Sequence, residues 1–344
     1  AFVQRMEGKS APAATAEKYQ PRSFFEGVTM LEDQRLLRRL TLSLTGRLPT
    51  PKERQAIKEK DLVGLDAILD QLMTEDAFYE RLKEGFNDVF LTDGYAGNGE
   101  LILSYNHFEK SRLWYQKYDL SHIEDKRERQ EAGWDMARVY RKAIRTEPLE
   151  LIAHVVRNNR PFTEIMTADY IMVSPYSSRG YGIFEQIKDR FKDPENPFEY
   201  VQAKLPALKA RNNNPVNGPL VQESKTGFYP HAGLFSMFQY LRRYPTTETN
   251  RTRLRARMYY QHFLGINIME LADQVADAAA IDVKYETPWM EAADCVVCHR
   301  TIDPVAGLFQ DFYNVEGHYG PRKDGWFEDM FVPGLEGENL PKEE

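Results

Sequence analysis

Cys295-Val296-Val297-Cys298-His299 is the stretch around which the rest of this chain is organised. It holds both cysteines of the 344 residues and places a histidine directly after the second. Two thiols three positions apart can each add to a vinyl group of one porphyrin, and the adjoining imidazole can then bind the iron as its proximal ligand. The pattern therefore predicts one covalently attached haem c, anchored by Cys295 and Cys298 and ligated by His299.

The two cysteines have three other possible roles. A redox dithiol usually accompanies a βαβ pattern, which we do not find around them. A structural zinc site needs four ligands, and the chain has no second CxxC and no HxxxH. A strained disulfide between the two cysteines is the third alternative. None of the three explains the adjoining histidine as well as haem attachment does.

Composition and charge limit the class of protein. Hydrophobic residues make up 42% and aromatic residues 12% of the chain, which predicts a folded protein. The net charge of −7 disfavours binding to nucleic acid or to an anionic membrane and favours a soluble partner. No run of about 18 apolar residues predicts a transmembrane segment. Since haem c is attached outside the cytoplasm, we expect a periplasmic or cell-surface protein whose signal peptide has been removed.

The hydrophobic pattern predicts a mainly α fold, an irregular multi-helix protein with long loops and haem c attached near the C-terminus. Leucines recur at helical spacing between Leu31 and Leu44, and Gly46 ends that pattern. Thr50 can cap the next helix and Pro51 suits its first turn. Further helices are predicted from Pro148 and over Asn250–Leu264, the latter ended by a glycine.

We divide the chain into four parts. An extended N-terminal arm covers residues 1–22, and a helical domain covers residues 23–187. An irregular insertion, rich in Pro, Asn and Lys, covers residues 188–226. Residues 227–344 form a helical haem-binding region that packs on the first domain. The arm is a candidate for contacts between copies of the chain in a homo-oligomer.

The sixth ligand of the iron has to come from elsewhere in the chain. Only 45 residues follow His299, and prolines and glycines break them up, so earlier helices must supply the pocket. His231, which begins an apolar segment, is the first candidate. Met258 and His262 share one helix face, and Met330 lies further along the tail. The alternative for each is a packing role in the core.

Alternating arginines precede the motif. They are Arg251, Arg253, Arg255 and Arg257. Such arginines can be solvent-exposed residues in ion pairs, or they can bind the haem propionates. We expect at least two of them to have the first role, and we name Arg251 and Arg255 as candidates for the second.

Four stretches of the chain resemble the uncharacterised domains that accompany planctomycete-type cytochromes c. They are Leu37–Pro51 (LRRxxLxLTGRLPTP), Asn159–Tyr170 (RPFxExxTADY), His231–Leu234 (HAGL) with Asn250–Arg253 (NRTR), and Cys295–Asp311 (CxxCHxxIDP). The resemblance covers most of the region from Met30 to Tyr319 and implies an exported, largely helical haem c protein. Val305-Ala306-Gly307 departs from the commoner Leu-Gly after Asp-Pro.

Three functions follow as hypotheses. The first is a monohaem cytochrome that passes single electrons to a redox protein partner or within a multi-subunit complex. The second is an enzyme of the peroxidase or oxidase type with an open or weakly bound sixth position. The third is a structural subunit of a haem-containing complex. The sixth ligand decides between the first two, because a filled position favours electron transfer and an open one permits ligand chemistry.

Overall fold

The computed structural model describes residues 26–29, 31–94, 99–103, 105–208, 224–246, 250, 252–270, 293–309 and 312. Within these residues the chain is mainly helical, as predicted. It divides into two compact units, Ala1–Met73 and Thr74–Glu344, and the division falls inside the predicted helical domain 23–187. The predicted arm, residues 1–22, lies outside the described residues, and the predicted domain boundaries stay predictions. No helix in the described ranges is long and apolar enough to cross a membrane.

The first unit is built from short helices around a small apolar core. Its helices are α1 (Asp33–Thr45), α2 (Pro51–Lys60) and α3 (Leu65–Leu72), with a 3₁₀ turn at Asp61–Gly64. Leu37 of α1, Ile57 of α2 and two residues of α3, Ile68 and Leu72, are buried against one another. Each helix therefore contributes its apolar face to one cluster.

The corner between α1 and α2 follows the sequence prediction closely. Gly46 ends α1 in a left-handed conformation. The Thr50 hydroxyl accepts a hydrogen bond from the amide of Glu53 (3.2 Å), and the Glu53 carboxylate accepts one from the amide of Thr50 (2.7 Å). This reciprocal pair is a capping box. Arg47 donates to both oxygens of Glu53 (2.6 and 3.0 Å), and these hydrogen bonds lower the pKa of Glu53 to about 2.

The second unit contains ten helices among its described residues. They are α4 (Asp76–Phe90), α5 (Tyr105–Phe108), α6 (Lys126–Arg157), α7 (Glu164–Thr167), α8 (Pro175–Tyr181), α9 (Phe184–Ile187), α10 (Gly233–Ser236), α11 (Phe238–Arg243), α12 (Arg253–Leu264) and α13 (Ala293–Gly307). Two three-residue strands, β1 (Ile171–Val173) and β2 (Val201–Ala203), pair antiparallel with Ile171 opposite Ala203. All three residues of β1 are buried, so this strand carries no alternating pattern that a sequence could reveal.

Helix α6 is the centre of the second unit. It starts at the N-cap Asp125, whose carboxylate accepts hydrogen bonds from two backbone amides, and it runs through Pro148 without ending. The helix predicted to begin at Pro148 is therefore wrong at its start. Proline lacks an N–H, which leaves the carbonyl of Ile144 without its helical partner. The side-chain amide of Gln239, in α11, donates to that carbonyl (2.7 Å) and replaces the missing bond.

The segments Asn159–Tyr170 and His231–Leu234 pack directly on each other. The amide of Gly233, at the start of α10, donates to the carbonyl of Ala168 at the end of α7 (2.8 Å). A Cβ on Gly233 would lie 2.1 Å from the carbonyl oxygen of Ile165, and the residue has a positive φ of 48°. Only glycine fits this crossing, because the obstructing atom belongs to the backbone and cannot rotate away.

Candidate haem attachment site

Cys295, Cys298 and His299 lie together in helix α13. Positions three and four residues apart occupy the same face of an α-helix, so both thiols and the imidazole point to one side. The two cysteines are partly buried and are not joined by a disulfide. In the described part of the chain, no group of three or more Cys, His, Asp and Glu side chains has the arrangement of a metal site. The motif places two thiols and one imidazole on one face of α13.

The thiol of Cys298 faces the segment that follows α12. Its Sγ atom donates to the carbonyl oxygen of Ile268 at 3.5 Å. Burial, followed by the neighbouring thiol of Cys295, raises the pKa of Cys298. Both effects disfavour a charged sulfur at this position. The Cys298 thiol is therefore held neutral beside the backbone at Ile268.

His299 is held by a buried carboxylate. Its Nδ1 atom lies 3.0 Å from Oδ2 of Asp303, one turn further along α13. Asp303 is only 1% exposed, and Arg253 donates to both of its oxygens, at 2.7 and 3.0 Å. A carboxylate paired with arginine accepts hydrogen bonds, so Nδ1 of His299 is the donor. In the neutral ring, Nε2 then carries the lone pair with which this imidazole can bind a metal ion.

Helix α12 supports the motif helix along its length. Besides the pair between Arg253 and Asp303, the hydroxyl of Thr252 donates to the carbonyl of Ala306 (2.6 Å). Further along, the hydroxyl of Tyr260 donates to the carbonyl of Thr301 (3.0 Å). These contacts join both ends of α12 to α13. The position of His299 is thereby tied to a helix that precedes it by about forty residues in the chain.

Two candidates for the sixth ligand lie on the far side of α12. With 3.6 residues per turn, Met258 and His262 lie about half a turn away from the face that carries Arg253 and Tyr260. Met258 packs against the main apolar core. The ring of His262 lies 5.3 Å from that of Phe90, within an aromatic cluster. In this conformation neither side chain is directed towards α13.

His231 uses its lone pair within the protein. Its Nε2 atom accepts a hydrogen bond from the backbone amide of Leu205 (3.0 Å), and its ring packs edge-on against Tyr229. Burial lowers the pKa of His231 to about 4, so the ring is neutral and Nε2 is its only acceptor. An iron ligand at Nε2 would require this hydrogen bond to break. Met330 lies outside the described residues, and so does Arg251.

Arg255 is a structural residue in this conformation. Its three guanidinium nitrogens donate to the carbonyls of Tyr244 (2.8 Å), Leu241 (3.2 Å) and Phe312. Arg257 differs, because its buried Nε atom has no hydrogen-bond partner among the described residues. Helical spacing places Arg257 on the α13-facing side, one turn after the arginine that binds Asp303. Arg257 therefore has a buried donor that an anion could satisfy.

These residues fit a covalently attached haem. Two thiols on one helix face match the two vinyl groups, and the imidazole beside them keeps Nε2 for the iron. A haem propionate would satisfy the buried donor of Arg257. The sequence motif identified the thiols and the imidazole, whereas nothing in the motif itself revealed that Arg253 binds Asp303. No protein-family model matches this chain, and neither a curated protein nor a solved structure matches it.

Proposed function

We propose that this chain is an exported c-type cytochrome that carries one haem and transfers single electrons to a redox partner or within a larger complex. The observation that carries the proposal is the buried contact of Asp303 with His299, beside two thiols on the same helix face. The resemblance to planctomycete-type cytochrome c proteins supports it. Attachment of haem c takes place outside the cytoplasm, which implies a periplasmic or cell-surface location.

Each residue of the site has a separate task in this proposal. Cys295 and Cys298 form the thioether links, and His299 is the proximal ligand. Asp303 orients the imidazole and increases its basicity, as carboxylates beside ligating histidines do. Arg257 neutralises a propionate. When bound, haem c supplies an iron centre that changes oxidation state by one electron.

The proposal is tested by producing the protein in a host that carries a cytochrome c maturation system. We expect haem to stay with the chain after denaturation, and a pyridine haemochrome spectrum of the c type. The single variants Cys295→Ala and Cys298→Ala should each give the shifted spectrum of a haem with one thioether. The double variant should lose covalent haem. A wild-type protein without covalent haem would overturn the proposal.

A further inference from the structure

A short turn after α12 is held by hydrogen bonds of its own. Gly265 adopts the left-handed conformation (φ 66°), and the amide of Ile266 donates to the carbonyl of Tyr260 in α12 (3.0 Å). The side chain of Asn267 then accepts a hydrogen bond from the amide of Met269 (3.2 Å) and donates to Glu270 (3.1 Å). Local bonds of this kind restrict the backbone conformation. The position of Met269 is therefore well determined.

This turn lies directly beside the thiol of Cys298. The carbonyl of Ile268, the residue before Met269, accepts the hydrogen bond of that thiol. Ile268 is buried, but Met269 is 54% exposed. Two more large apolar side chains of the same segment, Leu264 and Ile266, are also exposed. Three exposed apolar side chains therefore lie on the segment whose backbone contacts this thiol, and we call them the apolar patch.

A haem attached at Cys298 is the occupant that this apolar patch suits. The porphyrin has wide apolar faces, and covering exposed Leu, Ile and Met side chains with them is favourable. Attachment places the edge of the ring at the sulfur, beside the carbonyl of Ile268. Met269 follows that residue and has a flexible thioether side chain.

The other described candidates are less suited to bind the iron. His231 uses Nε2 for the amide of Leu205, and Met258 and His262 belong to the opposite side of α12. Met269 differs from all three because its side chain is exposed and it directly follows Ile268, whose carbonyl contacts Cys298. Its sulfur is also a neutral, soft ligand that suits haem iron.

Resting on the proposed haem attachment, we propose that Met269 is the sixth ligand. Histidine and methionine then fill both axial positions, and the site is closed to small exogenous ligands. Thioether ligation raises the reduction potential of a haem. The chain is in that case an electron-transfer protein and not an oxidase or a peroxidase. This ligand precedes the cysteine motif and is unconnected with the tail methionine Met330.

The test uses the full-length haem-loaded protein and two variants, Met269→Ala and Met258→Ala. We expect a low-spin ferric spectrum with a methionine-to-iron charge-transfer band in the wild type. Met269→Ala should lose that band and bind carbon monoxide when reduced. Its preference for the ferrous form should fall at least tenfold, which equals a decrease of about 59 mV in potential for one electron. Met258→Ala, which removes a methionine from the other side of α12, should keep the band.

Each contrary outcome has its own meaning. If the wild type carries no covalent haem, the cytochrome proposal and the ligand proposal both fail. If haem is attached but Met269→Ala keeps the wild-type band and excludes carbon monoxide, only the ligand proposal is overturned. Met269→His provides an independent check. It should restore a low-spin spectrum with a lower potential, and a high-spin spectrum in this variant would also count against Met269.

Discussion

Nδ1 of His299 lies 3.0 Å from Oδ2 of Asp303, and the same carboxylate receives two hydrogen bonds from Arg253. The carboxylate is almost completely buried, so its charge acts on the imidazole with little screening by water. Arg253 holds the carboxylate in place, and its positive charge partly offsets the negative charge of Asp303. The orientation of the His299 imidazole thus depends on a carboxylate that it shares with Arg253.

Asp303→Asn should raise the reduction potential of the haem-loaded protein. The amide lacks the negative charge that favours the ferric state through His299, and we expect a shift on the order of 60 mV, a tenfold change for one electron. Potentiometric titration measures it. Glu128→Gln is the control, because it removes an exposed carboxylate of α6 that makes no bond to the imidazole. Equal shifts in the two variants would contradict a specific role for Asp303.

Glu147 gives the second unit a pH-dependent stability. It is completely buried, and Tyr181 and Gln239 both donate to its Oε2 atom at 2.6 Å. Burial raises its pKa to about 8, although those hydrogen bonds lower it. The folded state therefore keeps a proton that the unfolded chain releases near pH 4.5.

The stabilisation from protonated Glu147 should be fully present below pH 4.5 and lost as pH rises through about 8. The expected loss of unfolding free energy is on the order of 4 kcal/mol. Glu147→Gln keeps an acceptor without the charge and should flatten the profile between pH 5 and pH 8. Urea unfolding at several pH values measures this. Glu128→Gln, which changes an exposed carboxylate, is the control. The assignment is contradicted if the unfolding free energy of Glu147→Gln falls with pH as steeply as that of the parent protein or of the control.

Gly233→Ala should be far more damaging than Gly227→Ala. Both glycines have positive φ (48° and 77°), but only at Gly233 does an added Cβ meet the backbone of Ile165, whereas nothing lies within 4 Å at Gly227. We expect about 1 kcal/mol of destabilisation at Gly227 from conformation alone and more than about 3 kcal/mol at Gly233. Thermal unfolding compares them, and equal losses would show that the close crossing of α7 and α10 is not rigid.

Glu53→Gln should destabilise the first unit at neutral pH. The pKa of Glu53 is lowered to about 2 by Arg47, so the stabilisation is present above pH 4.5 and declines as pH falls through about 2. We expect a loss of about 2–3 kcal/mol at pH 7. The difference between variant and parent should shrink as pH approaches 2. A constant difference measured by chemical unfolding from pH 7 to pH 3 would indicate that the charge of Glu53 is unimportant.

Short-range chemistry explains which features could be predicted. The end of α1 at Gly46, the cap at Thr50 and the end of α12 at Gly265 each depend on neighbours within a few residues, and all three predictions are confirmed. The continuation of α6 through Pro148 could not be predicted in this way. Gln239, which replaces the bond that Pro148 cannot make, lies 95 positions from Ile144 in the chain.

The roles of the site residues also divide into those that local spacing predicts and those that depend on distant segments. Spacing alone predicts that Cys295, Cys298 and His299 act together, because any helix places residues at these positions on one face. The buried partner of His299, the structural role of Arg255 and the exposure of Met269 depend on how α12 meets α13. The sequence by itself determined that this chain has two thiols and an imidazole at the spacing that predicts haem attachment. Only the tertiary structure decided which arginine holds Asp303 and which turn contacts the thiol of Cys298, because packing between distant segments brings those groups together.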